Sequence, residues 1–239
     1  MFNLFSIELA AALLPPALLW LYIWKKDPLK EPTNQLVKAT LWGVGICIPV
    51  AIVELIIQSI LFGGDAEPTN LFQSTATAFF VAAIPEEAAK LLALWIVLRK
   101  NPYFDEHFDG IVYAVCVGLG FAALENVAYV LGSDEWFTVA VLRSLLAVPG
   151  HYIDAVLMGY FYAMYYFVDR STKNAVLIFL APMLAHGIYD ALAMSTSINP
   201  YIGVVCFLLL IIVCILMHKE AFKRIAAHIQ RDKEARTSY

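Results

Sequence analysis

The sequence predicts an all-α protein: a polytopic transmembrane helix bundle of about seven spans, with its N-terminus outside and its C-terminus cytoplasmic. Three observations predict it. The 239 residues are 61% hydrophobic and only 15% charged, with a mean hydropathy of +0.72, a balance that no soluble domain of this length needs. Apolar runs of roughly 20 residues, enough to cross a bilayer core as a helix, recur along the whole chain. Fourteen of the 16 lysines and arginines fall in alternate loops and the tail, the cytoplasmic bias of a membrane protein.

The first span runs from about Phe5 to Trp24. Pro15-Pro16 should kink it, and Trp20, Tyr22 and Trp24 form an interfacial belt. The second, Leu36 to Phe62, carries Glu54. The third, Leu71 to Leu98, interrupts its apolar run with Ile84-Pro85-Glu86-Glu87-Ala88-Ala89-Lys90. The fourth runs from Asp109 to Leu131 and the fifth from Trp136 to Phe167. The fifth is long for a straight span and is expected to tilt or break at Pro149-Gly150. Asn174 to Thr196 and Tyr201 to Met217 complete a single transmembrane domain, residues 1–217.

Lys25, Lys26, Lys30, Lys38, Arg99, Lys100, Arg170, Lys173 and the six basic residues of the tail share one side. The opposite loops, 63–70, 132–135 and 197–200, have none, which sets the orientation. In the tail, 218–239, Phe222, Ile225, Ala226 and Ile229 fall on one helical face among basic residues. That pattern suits a helix on the anionic inner leaflet, or a solvated terminal helix equally well. Cys47, Cys116, Cys206 and Cys214 lie inside apolar runs and read as small hydrophobes rather than disulfide partners. The N-terminus has neither the basic n-region nor the cleavage site of a secretory signal.

The polar residues inside the spans carry the chemistry. A charge near the bilayer centre costs roughly 2.5–3.5 kcal/mol even on lenient scales, and packing does not require it. At about 1.5 Å per residue, Glu86 and Glu87 lie roughly 22 Å from the outer end of their span. By the same rise His151 lies about 22 Å into the fifth span, His186 about 15 Å and Glu125 about 10 Å from the outer ends of theirs. The depths agree. Lys90 follows Glu86 and Glu87 at i,i+4 and i,i+3, so one face bears both acids and a compensating ammonium. His186 and Asp190 are at i,i+4, His151 and Asp154 at i,i+3. Pro85, Pro149 and Pro182 stand just upstream of Glu86, His151 and His186 and should open each helix locally. A wet, polar cavity enclosed by spans three to six follows. Glu54 and Arg143, at similar outer depth, are expected as a structural pair or as substrate-facing residues. A lone intramembrane histidine is commonly a helix–helix hydrogen-bond partner; three acids and two histidines at one depth exceed that.

A carboxylate in a low-dielectric cavity suits a general base acting on water. No serine or cysteine has a nucleophile's setting, so hydrolysis without an acyl-enzyme is expected. Alternatively, His151, His186 and Glu125 could ligate Zn2+, with Glu86 or Glu87 as base, although no HExxH pair is present. No cofactor is needed in the first reading. Two rivals use the same residues: a proton-coupled membrane transporter, and a haem protein ligated by His151 and His186.

Glu86-Glu87-x-x-Lys90, Phe121-x-x-x-Glu125-Asn126, Pro149-Gly150-His151 and His186 four before Asp190 resemble, in order, the motifs of the PrsW intramembrane proteases. These are distant relatives of the type II CAAX prenyl endopeptidases. The resemblance covers about Ala78 to Ala193, within a protease core of about 71–196. Relatives of the CAAX type have a histidine in place of Glu125 and an arginine-containing first motif in place of Lys90, so this chain is the more similar to PrsW. The resemblance implies catalytic roles for Glu86, Glu87, Glu125, His151, His186 and Asp190, with Lys90 and Asn126 supporting. It also implies a bacterial inner-membrane location and a single-pass membrane substrate such as an anti-sigma factor, cut at site one near the extracytoplasmic face. Partners are then this substrate and the lipid bilayer, with no nucleic acid.

Overall fold

The computed structural model describes residues 4–64 and 67–237, and every regular element among them is a helix. Residues 1–3, the loop residues Asp65-Ala66 and the last two tail residues lie outside the described residues. The helices are α1 Leu4–Lys26, α2 Thr33–Phe62, α3 (71–98), α4 His107–Leu131, α5 Trp136–Val168, α6 Thr172–Ser195 and α7 Pro200–Thr237. Six are long and apolar enough to cross a membrane. The seventh, α3, is the one interrupted by Glu86, Glu87 and Lys90.

Two helices depart from α geometry where the sequence placed prolines. The third helix is built as α (Leu71–Ala76), π (Thr77–Ala83), then α (Ile84–Leu98). The fifth runs Trp136–Leu142 as α, Arg143–Ala147 as π, Val148–Ala163 as α and Met164–Val168 as π. Proline lacks an N–H, and its ring crowds the carbonyl one turn back. A wide i→i+5 turn directly before it relieves both problems without a break. Hence α5 does not break at Pro149-Gly150, as expected from the sequence; it widens just upstream. Pro182 differs, since α6 stays α-helical around it, and Pro15-Pro16 lie within one continuous α1.

The fourth helix is the axis of the bundle. Within its apolar window 72% of residues are buried, against 11% in α1, α2 and α7, and it packs on α1, α2 and α5. Glycine permits this closeness. A Cβ at Gly120 would stand 2.1 Å from the Thr40 carbonyl oxygen of α2, and one at Gly159 of α5 would stand 2.3 Å from that of Gly110. Small residues let helix backbones meet where lipid offers no hydrophobic driving force. The outer helices turn Leu41, Leu55, Ile60, Val204 and Leu208 outward, an apolar surface suited to acyl chains.

At the basic end, α7 continues unbroken from its span into the tail. Its inward face of Ala221, Ile225, His228 and Asp232 is buried against α4 and α5. Asp232 accepts the backbone N–H groups of His107 and Phe108, each at 2.9 Å, and lies 2.6 Å from His107 Nδ1. A carboxylate there answers the unpaired donors and positive dipole end of α4. The apolar face anticipated for the tail is therefore split. Ile225 turns inward, while Phe222 and Ala226 stay exposed. In the α1–α2 loop, Tyr113 donates to the Glu31 carboxylate, and burial pushes Glu31 up to about 7 and Asp27 above its ordinary value.

Candidate active site

Glu86 and Glu87 leave α3 in the first turn after its π segment, both buried. Glu86 faces a cavity of about 690 Å³. The cavity is not bounded by spans three to six alone, as expected from the sequence. The second helix contributes Cys47 and Glu54, and α7 contributes Phe207 and Leu210.

Lys90 organises the floor. Its ammonium donates to Glu87 Oε1 at 2.7 Å and Glu86 Oε2 at 2.9 Å, and lies 3.1 Å from His151 Nδ1. The i,i+3 and i,i+4 spacings bring both acids to it, and the π turn of α5 aims His151 at it from across the bundle. An ammonium has three N–H groups, and all three are used. The Phe121 ring lies under the nitrogen at 4.4 Å, a cation–π contact in a desolvated setting.

His186 stands between carboxylates. Its Nδ1 is 2.9 Å from Glu87 Oε1 and its Nε2 is 3.1 Å from Asp190 Oδ2. Both ring nitrogens face acceptors, so both carry protons. His151 differs: Nδ1 accepts from Lys90, while Nε2 donates to Glu125 Oε2 at 2.8 Å. The two imidazoles are perpendicular with centroids 5.3 Å apart. Glu125 also accepts from Arg143 Nη2 at 2.6 Å, and Arg143 Nε donates to Asn126 Oδ1 at 2.7 Å. Asn126 in turn donates to the Ala12 carbonyl at 2.6 Å, tying α1 to this side of the cavity. The motif Phe121-x-x-x-Glu125-Asn126 thus supports Lys90 through the Phe121 ring, His151 through Glu125, and Arg143 through Glu125 and Asn126.

The structure brings together Glu86, Glu87, Glu125, His151, His186 and Asp190, with Lys90 and Asn126 beneath and beside them. Of the two roles expected for Glu54 and Arg143, the pair does not form, since Arg143 is held by Glu125, while both residues do line the cavity. Glu54 instead lines the cavity from α2 with its Oε1 lacking a partner. Asp154, which its i,i+3 spacing from His151 placed toward the cavity but which was not among the expected catalytic residues, also lines it, with one unpartnered oxygen.

Glu86, Glu87, His151 and His186 each present one donor atom within 4.8 Å of the others. Two imidazoles and two carboxylates are ligand types that zinc accepts. Glu125, anticipated as a ligand, is outside the set because Arg143 and His151 hold it. A ligand needs a free lone pair, yet each histidine is already spoken for: His186 carries protons on both nitrogens, and the one lone pair of His151 faces an ammonium. As arranged, the donors hold a cationic side chain and do not fit a metal ion.

The chain matches the family model described as PrsW family intramembrane metalloprotease over residues 31–217. It is 32% identical over 183 residues to the protease PrsW of Oceanobacillus iheyensis, covering 76% of this chain and 80% of that one. The corresponding protein of Geobacillus kaustophilus is 32% identical over 197 residues, covering 82% and 81%. That of Bacillus subtilis is 31% identical over 192 residues, covering 79% and 84%. No solved structure matches. With its apolar helices and a buried Glu/His centre, the chain belongs to the PrsW family of intramembrane proteases and is a multi-pass protease of the cell membrane.

Proposed function

We propose that this protease hydrolyses single-pass membrane regulators with a water activated by Glu86, without a covalent intermediate. The observation that carries it is the pair Glu86 Oε1 and His186 Nε2, 4.0 Å apart at the cavity wall. That gap exceeds a hydrogen bond, and with Nε2 turned to Asp190 at 3.1 Å it leaves Oε1 facing the imidazole without a direct bond to it. Glu86 Oε2 is held by Lys90, and Glu54 also hydrogen-bonds the Glu86 carboxyl; Oε1, on the His186 side, is the oxygen assigned to the water. Glu87 is fully buried and its Oε1 holds both Lys90 and His186, so it positions the other groups.

In the reaction, water oxygen attacks the scissile carbonyl as Glu86 takes its proton. The developing oxyanion is stabilised by a donor fixed in advance, for which the Arg143 guanidinium is at the cavity wall. His186 gives a proton to the leaving amine, and the proton on Glu86 restores His186. Water is thereby divided between the new carboxyl and amine ends. Asp190 and Glu87 orient His186; Glu125 orients His151.

The orientation drawn from the basic residues puts this centre in the outer half of the bilayer. Within the family resemblance, the substrate is an anti-sigma factor cut near the extracytoplasmic face, the working core being residues 71–196. Purified protein in detergent is expected to cut a single-pass test substrate, with the new termini identified by mass spectrometry. Unchanged cleavage in Glu86→Gln refutes the assignment. Flux of an intact solute driven by a pH gradient, with no cleavage, supports a carrier instead.

A further inference from the structure

We propose that Lys90 is the built-in cation of this centre: its ammonium fills the place among Glu86, Glu87 and His151 that a divalent metal would take, and so keeps the site metal-free. Metal exclusion follows from the donor geometry alone, whichever bond the enzyme cuts.

Three observations meet on the nitrogen. It is 2.7 Å, 2.9 Å and 3.1 Å from atoms of three of the four clustered donors. Zinc at its usual distance of about 2.0–2.2 Å from the same oxygens and nitrogen would overlap that ammonium. Second, the fourth donor is closed, since His186 is held by Glu87 on one nitrogen and Asp190 on the other. Third, Lys90 has nowhere else to go. Its side chain is buried at 3% exposure, with the Phe121 ring 4.4 Å beneath the charge. The ring stabilises a monovalent ammonium and offers no ligand to a metal.

A metal could enter only if Lys90 left, and the ammonium sits on the same helix as both acids at i,i+3 and i,i+4. It is therefore always present at the site, at no cost of diffusion or uptake. Two like charges within a low-dielectric pocket repel strongly, so the lysine both occupies the position and opposes a competitor for it. Removing the ammonium should uncover the ligand set: two carboxylates without a counter-ion and the freed Nδ1 of His151.

The test uses Co2+ and Zn2+ as probes on the full-length protein in detergent. Wild type, stripped of metal and titrated, is expected to show no tetrahedral cobalt bands and to retain less than stoichiometric zinc. Folded Lys90→Met is expected to bind one equivalent with such bands, and to lose it again when His151→Ala is added. One equivalent in wild type, abolished by Glu86→Gln, overturns the proposal, as does a folded Lys90→Met that takes up no metal. Should Lys90→Met not fold, the wild-type titration decides by the same criterion. Because metal uptake is the readout, an inactive but metal-excluding wild type would count against the hydrolytic assignment and leave Lys90's role standing.

Discussion

Glu86 Oε1 and His186 Nε2 face each other at 4.0 Å, while Glu86 Oε2 is held by Lys90 and the two nitrogens of His186 by Glu87 and Asp190. The two adjacent glutamates therefore differ in consequence. Glu86→Gln should keep the fold and lower kcat by roughly 10²–10⁴, the usual loss of a general base. Glu87→Gln should lower both activity and thermal midpoint, because breaking a buried charge pair costs about 3–5 kcal/mol. Cleavage rates and unfolding midpoints of both variants in one detergent check this. Equal midpoints for the two would contradict the division of roles.

The Arg143–Glu125 pair supports His151 at a distance from the scissile bond. Arg143→Ala and Glu125→Ala should each slow cleavage, and the double variant should lose less than the sum. A coupling of about 0.5–3 kcal/mol is expected for groups in one network. A double-mutant cycle on kcat/KM measures it, and additivity would show that the two act separately.

Pro85 sets the aim of Glu86 by imposing the π turn before it. Pro85→Ala permits an ordinary α turn, which adds a backbone hydrogen bond and re-aims the residues that follow. Stability should hold or rise while kcat falls. A fall in both together would mean that Pro85 serves packing and not aim.

Glu31 makes stability depend on pH at the basic end of the bundle. Burial raises it from 4.5 to about 7 in the folded protein, so between those values the folded state holds the proton that the unfolded chain has released. Its stabilising contribution is complete below pH 4.5 and lost as pH rises through about 7; stability falls with rising pH in that window. Glu31→Gln keeps an acceptor for Tyr113 and should flatten the slope of midpoint against pH. An unchanged slope would assign the dependence to another group.

The sequence by itself determined the helices, their count and their membrane character, because apolar length and composition suffice for a chain that must satisfy its backbone within lipid. Matching depth on separate spans also singled out Glu86, Glu125, His151 and His186, which line one cavity, and Glu87, which is buried beside them. Prolines marked where the helices change, though not that they widen into π turns instead of breaking. Tertiary structure alone decided the pairing. Arg143 lies nearer Glu125 than Glu54 because of how α4 and α5 are rotated about their glycine contacts, and periodicity within one helix does not encode rotation between two. The placing of α3 beside α5 in the bundle likewise brings Lys90 and His151 together across 61 residues of sequence, so that an ammonium stands where ligand types alone had suggested a metal.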